Sequence, residues 1–279
     1  MKGAPMKLFH TTLHVGADVP FRAIHVSDTH LTLADERDGA RKVALVDWRL
    51  PSFPDAQKVL CEVGDLADEM GVPILHTGDL IDFVSLANLE AVKAFTESHD
   101  VFMAAGNHEF SLYVGEAKED AAYRNQSLGA VQSVFQNNIR MSSRIIGGVN
   151  FVALDNGYYT FEPEQFAFLR TEVARGLPVV LMMHVPLYTP AFYERMMRYV
   201  PCAYLVGVPE EQMRCYPPDR YEQQLADALT LDMMEYVASQ PAIKAILTGH
   251  NHFDYESTFA GRIPQLTIGC AQARVIEFM

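Results

Sequence analysis

Five short apolar runs in this chain each stop abruptly at a polar cluster. Residues 21–27 (FRAIHVS) run into Asp28-Thr29-His30, and residues 72–77 (VPILHT) into Gly78-Asp79, with Asp82 three positions on. Residues 101–105 (VFMAA) run into Gly106-Asn107-His108-Glu109, residues 178–183 (PVVLMM) into His184, and residues 242–248 (AIKAILT) into Gly249-His250-Asn251-His252. Apolar runs of this length bounded by turn residues read as buried strands. Longer helical patterns lie between them, which is the α/β signature. In α/β sheets, ligands collect beyond the carboxyl ends of the strands. Five polar clusters placed there would converge on one site. Each cluster alone is a weak signal, since Asp-x-His or Gly-Asp after a strand is most often a turn. The conjunction carries the weight, because five of the ten histidines fall in these clusters.

The rest of the chain fits the same alternation. Residues 6–15 read as a further strand, and 55–70 as a helix with Asp55 as N-cap after Pro54. Helices are expected over 85–98, 116–137, 162–175 and 219–239. Strands are expected within 144–154, around Gly147-Gly148, and within 255–279, around Gly261. Segments 31–54 and 186–218 resist the pattern and are rich in Pro, Tyr, Met and Arg. Irregular segments this long are either functional loops or covers over strand ends. No linker divides the chain, so residues 1–279 are expected to form a single domain.

Composition narrows the function. A length of 279 residues with 49% hydrophobic content supports a sizeable core without disulfides. The net charge of -13, with no dense Lys/Arg run, argues against nucleic acid as a partner. Cys61, Cys202, Cys215 and Cys270 form no CxxC pair, so a thiolate zinc site is not expected. Cys202 and Cys215 could pair, but buried free thiols are the simpler expectation. No stretch approaches ~18 consecutive apolar residues, so no membrane helix is expected and the reading is cytoplasmic.

The five clusters, in this order, resemble the motifs of the calcineurin-like metallophosphoesterases: Asp28-x-His30, Gly78-Asp79-x-x-Asp82, Gly106-Asn107-His108-Glu109, His184 and Gly249-His250-x-His252. The resemblance spans residues 28 to 252. It implies an α/β fold, a four-layer α/β/β/α sandwich with mixed sheets and a dinuclear metal site. The residue types suit such a site. Imidazole and carboxylate together bind Mn, Fe, Co, Ni or Zn, and no thiolate is expected there to select zinc. Mn or Fe is favoured. Residues i and i+2 of an extended segment point the same way, so Asp28 and His30 can reach one ion. By resemblance, Asp28, His30, Asp79 and His252 hold one metal. Asp79, Asn107, His184 and His250 hold the second, with Asp79 bridging.

The same resemblance implies the chemistry. A metal-bridging hydroxide attacks phosphorus, His108 protonates the leaving oxygen as general acid, and Asp82 hydrogen-bonds His108 and orients it. Glu109 is open between a functional and a purely structural part. His25 and His76 are expected as core residues or as supports behind the ligands. The Ser/Thr protein phosphatases of this family carry arginines where this chain has Phe83 and Ala105. That departure points away from that activity and toward a small phosphate ester, a phosphodiester or nucleotide-like molecule. Arg37, Arg41, Lys42, Trp48 and Arg49 in 31–54, and Tyr188, Phe192, Tyr193, Tyr199 and Tyr204 in 186–218, either face such a substrate or pack on the body. A phosphomonoesterase, protein phosphatase activity included, and a non-catalytic metal-binding scaffold are the rival readings.

Overall fold

The computed structural model describes residues 6–116 and 119–279. In chain order the elements are β1 (Lys7–Leu13), β2 (Phe21–Val26), α1 (Ala40–Arg49), α2 (Ala56–Met70), β3 (Ile74–His76), α3 (Leu86–Ser98), β4 (Val101–Met103) and α4 (Ala121–Gln132). There follow β5 (Met141–Ile146), β6 (Val149–Leu154), α5 (Pro163–Ala174), β7 (Val179–Met182), α6 (Pro190–Met197), α7 (Glu210–Met213), α8 (Pro218–Gln224), α9 (Ala228–Ser239), β8 (Ile243–Thr248), β9 (Tyr255–Phe259), β10 (Ile263–Thr267) and β11 (Gln272–Phe278). The strands form two mixed sheets, ordered β1-β11-β2-β3-β4 and β5-β6-β7-β8-β10-β9.

Alternation along the strands builds the layers. Phe151, Ala153, Val180, Met182, Ala245 and Leu247 from one sheet meet Ala23, Leu75, Phe102 and Ile276 from the other. The residues between them face outward. Ile24, Val26, Ile74 and Met103 pack under Val59, Val63, Leu89 and Val92 of α2 and α3. Val152, Leu154, Leu181 and Ile246 pack under Leu169, Val173, Met233 and Val237 of α5 and α9. The result is the expected α/β/β/α sandwich. Successive strand residues point to opposite faces, and both faces of these strands are covered, which is why they read as unbroken apolar runs.

Several local expectations are corrected. The helix expected over 219–239 is two helices. Leu225 leaves the helical region (ψ 111), and Asp227 starts α9 by accepting from the Thr230 amide at 2.7 Å. Asp55 stands at the N-cap of α2 but makes no side-chain cap bond. The helix expected over 116–137 is confined to α4, and its positions 117–118 lie outside the described residues. Segments 31–54 and 186–218 are not irregular throughout, since they hold α1, α6 and α7. None of the residues of α1 is buried, so no core-facing stripe marked it as a helix. Phe192, Met196, Leu205, Val208, Met213 and Tyr216 make a small core of their own. All four cysteines are free, and only Cys202 is buried, Cys61 and Cys215 being exposed.

β2, β3 and β4 are parallel neighbours in one sheet, and β6, β7 and β8 are parallel neighbours in the other. Their carboxyl ends therefore leave each sheet together. Asn88, fully buried on α3, braces that edge: its Oδ1 accepts from the Leu33 amide at 3.0 Å and its Nδ2 donates to Phe83 O at 2.8 Å. Asn88→Ala should cost roughly 2–4 kcal/mol, because it strands two backbone groups. Denaturant unfolding measures this. A change within about 0.5 kcal/mol, usual for a surface substitution, would contradict the brace.

Candidate metal centre

The strand-end loops touch through backbone as well as side chains. A Cβ on Gly78 (φ +98) would lie 2.6 Å from Gly106 N and from His184 Nδ1, and one on Gly106 would lie 2.3 Å from Asp79 Oδ1. Glycine at these two positions lets three loops close on one point. Asp28, His30, Asp79, His250 and His252 all have positive φ, between 51° and 71°. Asp and His tolerate this region better than most residues, but it costs energy and concentrates at functional sites. The sequence reading of Asp28 and His30 as an extended pair is therefore corrected. They converge through left-handed turns, held by Asp28 N donating to Gly78 O (3.0 Å) and His30 N to Asp79 O (2.9 Å).

Two groups of candidate ligand atoms result. In the first, His252 Nε2 lies 3.1 Å from His30 Nε2 and 3.3 Å from Asp28 Oδ1, and His30 Nε2 lies 3.6 Å from Asp79 Oδ2. In the second, His184 Nε2 lies 3.1 Å from both Asp79 Oδ2 and His250 Nδ1. Asn107 Oδ1 is buried with no hydrogen-bond partner among the described residues. Atoms that each sit about 2.1 Å from one ion are separated by about 3 Å, so these spacings suit a cation at each group. Imidazole nitrogens turned toward carboxylate oxygens and a buried, unpartnered amide oxygen are the chemistry that a cation site requires. Asp79 Oδ2 belongs to both groups, while its Oδ1 accepts from the His108 amide at 2.9 Å.

The outer ring atoms fix the tautomers. His30 Nδ1 pairs with Asp82 Oδ1 (3.0 Å), and His184 Nδ1 donates to Thr77 O (2.7 Å). His250 Nε2 meets the Tyr159 hydroxyl at 2.7 Å. Each contact leaves the other nitrogen facing inward. His108 Nδ1 donates to Asp82 O at 2.7 Å and lies 3.2 Å from Asp82 Oδ1. Burial alone would lower His108, but the Asp79 charge and the Asp82 bond raise it to about 10. His184 is raised to about 9 against burial by Asp79, whereas burial beside His184 takes His250 down to about 3. His25 and His76 are driven by burial to about 3, hence neutral, and bond Thr77 and Thr29 behind the site.

The calcineurin-like phosphoesterase family model matches residues 21–254. The chain belongs to the calcineurin-like phosphoesterases. It is thereby a metal-dependent phosphoric ester hydrolase. A dimetal phosphatase from Danio rerio shares the fold at a TM-score of 0.52 and 13% identity, over 90% of this chain and 88% of that one. Looser likenesses are a phosphopantetheinyl hydrolase from Mycobacterium tuberculosis (TM-score 0.45, 10% identity, 89% of each chain) and a 5'-nucleotidase from Candida albicans (TM-score 0.44, 12% identity, 90% of this chain and 46% of that one). No curated protein matches the chain significantly. No helix among the described residues is long and apolar enough to cross a membrane.

The candidate site of this phosphoesterase also includes residues that sequence reasoning passed over. The loop after β6 is a sixth contributor. Asn156 Oδ1 accepts from the amides of His184 (3.0 Å) and Val185 (2.9 Å), and Tyr159 supports His250. That strand runs into Asp155-Asn156-Gly157, which by itself reads as an ordinary turn. Cys270 Sγ falls within 4.8 Å of ligand nitrogens of His30 and His252, so the expectation of no thiol at the site is corrected. Its distance from the motifs in sequence hid it. Arg49 Nε and Nη2 pair with Asp82 at 2.7 and 2.8 Å. Phe83 and Ala105 are fully buried.

Glu109 has a structural part that its motif did not reveal. Fully buried, its carboxylate accepts from the amides of Leu80 (2.7 Å), Gly106 (2.7 Å) and Asp79 (2.8 Å). Burial and the nearby Asp79 charge raise it to about 7. Glu109→Ala should destabilise the metal-free protein by about 3 kcal/mol or more, since three buried amides lose their acceptor. Denaturant unfolding tests this, and a loss below about 1 kcal/mol would contradict it.

Proposed function

We propose that this chain hydrolyses a small phosphate ester, diester or nucleotide-like, with two transition-metal ions that share Asp79. The supporting observation is Asp79 Oδ2, which lies 3.6 Å from His30 Nε2 and 3.1 Å from His184 Nε2. Asp28, His30, Asp79 and His252 would hold one ion, and Asp79, Asn107, His184 and His250 the other. Mn or Fe suits this imidazole and carboxylate set, although Cys270 beside it also admits Zn. When bound, the ions supply Lewis acidity toward the phosphate and a nucleophilic water near neutral pH.

The chain's own groups do the rest. Asn107 adds a neutral oxygen, which keeps the centre positive enough to attract a phosphate. Asp82 takes up the Nδ1 side of His30 and of His108, which fixes both rings. The Nε2 of His108 remains to hold a proton for the leaving oxygen, and the Asp82 carboxylate beside Nδ1 favours the protonated ring. We read residues 1–279 as one catalytic domain in which segments 31–54 and 186–218 face the substrate. Arg49 on Asp82 and Tyr204, 6.0 Å from the His250 ring, favour that reading. Phe192 and Tyr216 instead serve the small local core. The exposed thiols of Cys61 and Cys215 favour a reducing compartment, and we place the enzyme in the cytoplasm.

The test is turnover of p-nitrophenyl phosphate and its bis ester by protein loaded with Mn or Fe. The bis ester should be the better substrate, and preference for the monoester would favour the phosphomonoesterase reading. Inactivity on both and on a broad panel of phosphate esters would overturn the proposal. Asp79→Asn should lose metal and activity together. His108→Asn should keep both metals and lose roughly 10²–10⁴-fold in rate, most with poor leaving groups. Equal losses across leaving groups would rule out a general acid at His108.

A further inference from the structure

We propose that Arg49 is a phosphate-binding residue, whose guanidinium exchanges the Asp82 carboxylate for two oxygens of the substrate phosphate. The proposal deepens the phosphoesterase reading above and rests on it. It begins with an unmet charge. Where the family's protein phosphatases place arginines, this chain has Phe83 and Ala105, both fully buried. Neither can be turned toward a ligand. An arginine nevertheless reaches the site from another element, the last residue of α1.

Arg49 is at the right place. Its Nε and Nη2 grip the two oxygens of Asp82, at 2.7 and 2.8 Å, and Nη1 stays outside the fork. The side chain is 16% exposed, so the guanidinium lies at the rim. It sits 5.1 Å from the Phe53 ring, which stacks on His30 at 4.0 Å and meets His252 edge-on at 5.7 Å. Asp82 itself touches His30 and His108. Arg49 thus stands one side chain away from a proposed ligand and from the proposed acid.

Two features favour the exchange. His30 Nδ1 at 3.0 Å and His108 Nδ1 at 3.2 Å would still face Asp82 Oδ1 once Arg49 had left, although Oδ2 would lose its partner, so the contact with the phosphate must offset that loss. In addition, α1 has no buried residue, so a shift of its end exposes little core. Weakly anchored elements are the ones that move at low cost. The new partner fits as well as the old one, because the planar fork of arginine matches phosphate oxygens as it matches a carboxylate. A lysine in its place would offer the charge without the fork.

The experiment compares metal-loaded wild type with Arg49→Ala and Arg49→Lys. Inorganic phosphate is titrated calorimetrically, and metal content, kcat and KM are measured on the same preparations. Arg49→Ala should weaken phosphate binding and raise KM by about ten- to a hundred-fold with two metals retained, since a charge-assisted pair is lost. Arg49→Lys should recover part of the phosphate affinity. Phosphate affinity within two-fold of wild type in both variants would overturn the proposal. So would loss of metal, or a loss confined to kcat, because Arg49 would then only brace Asp82. A wild type that binds phosphate but turns over no ester would sink the phosphoesterase reading, and the phosphate titrations would still decide Arg49.

Discussion

Three carboxylates, Asp28, Asp79 and Asp82, are buried together at one end of the sandwich, and their charge must be met there. Burial by itself would raise their proton affinity and keep them neutral. Instead, His30, His184, His252, His108 and Arg49 face them and hold all three below the usual carboxylate range. A buried ionised carboxylate is tolerated only when it is paired or coordinates a cation. Divalent ions are stronger partners than imidazolium, and the inward nitrogens of His30 and His184, both raised, can become ligands once they give up their protons.

Much of the surrounding architecture follows from that requirement. Ligand atoms from two sheets must come within about 3 Å of one another, which ordinary strand-to-helix turns do not allow. The chain meets the demand with left-handed Asp and His residues, with Gly78 and Gly106 in mutual contact, and with Glu109 gathering three amides. These are locally costly conformations, and the close-packed core between the sheets offsets them. The strand ends supply position, and the loops supply chemistry.

The convergence of the candidate residues is legible in the sequence because each cluster follows directly on a run buried on both faces. His184 is an example: a lone histidine after PVVLMM gains meaning only from four similar strand ends. What was not legible involves partners distant in the chain or residues of common type. The β11 strand inserts between β1 and β2, a pairing no local pattern encodes. Asn156 and Tyr159 follow a strand end whose Asp155-Asn156-Gly157 is indistinguishable from a common turn. Cys270 approaches His30 from 240 positions away. Arg49 was visible as one of several charges in segment 31–54, but its bond to Asp82 depends on α1, a helix with no buried face. The break at 225–227 was missed because residues on both sides favour helix, and only Asp227 marks the restart.

The central claim is that Asp79 joins two metal ions. Anomalous diffraction from crystals of the Mn-loaded protein tests it most directly. The account predicts two peaks per chain, about 3.5–4 Å apart, with the Asp79 carboxylate between them. A single peak, or two peaks with Asp79 bound to only one, would contradict it.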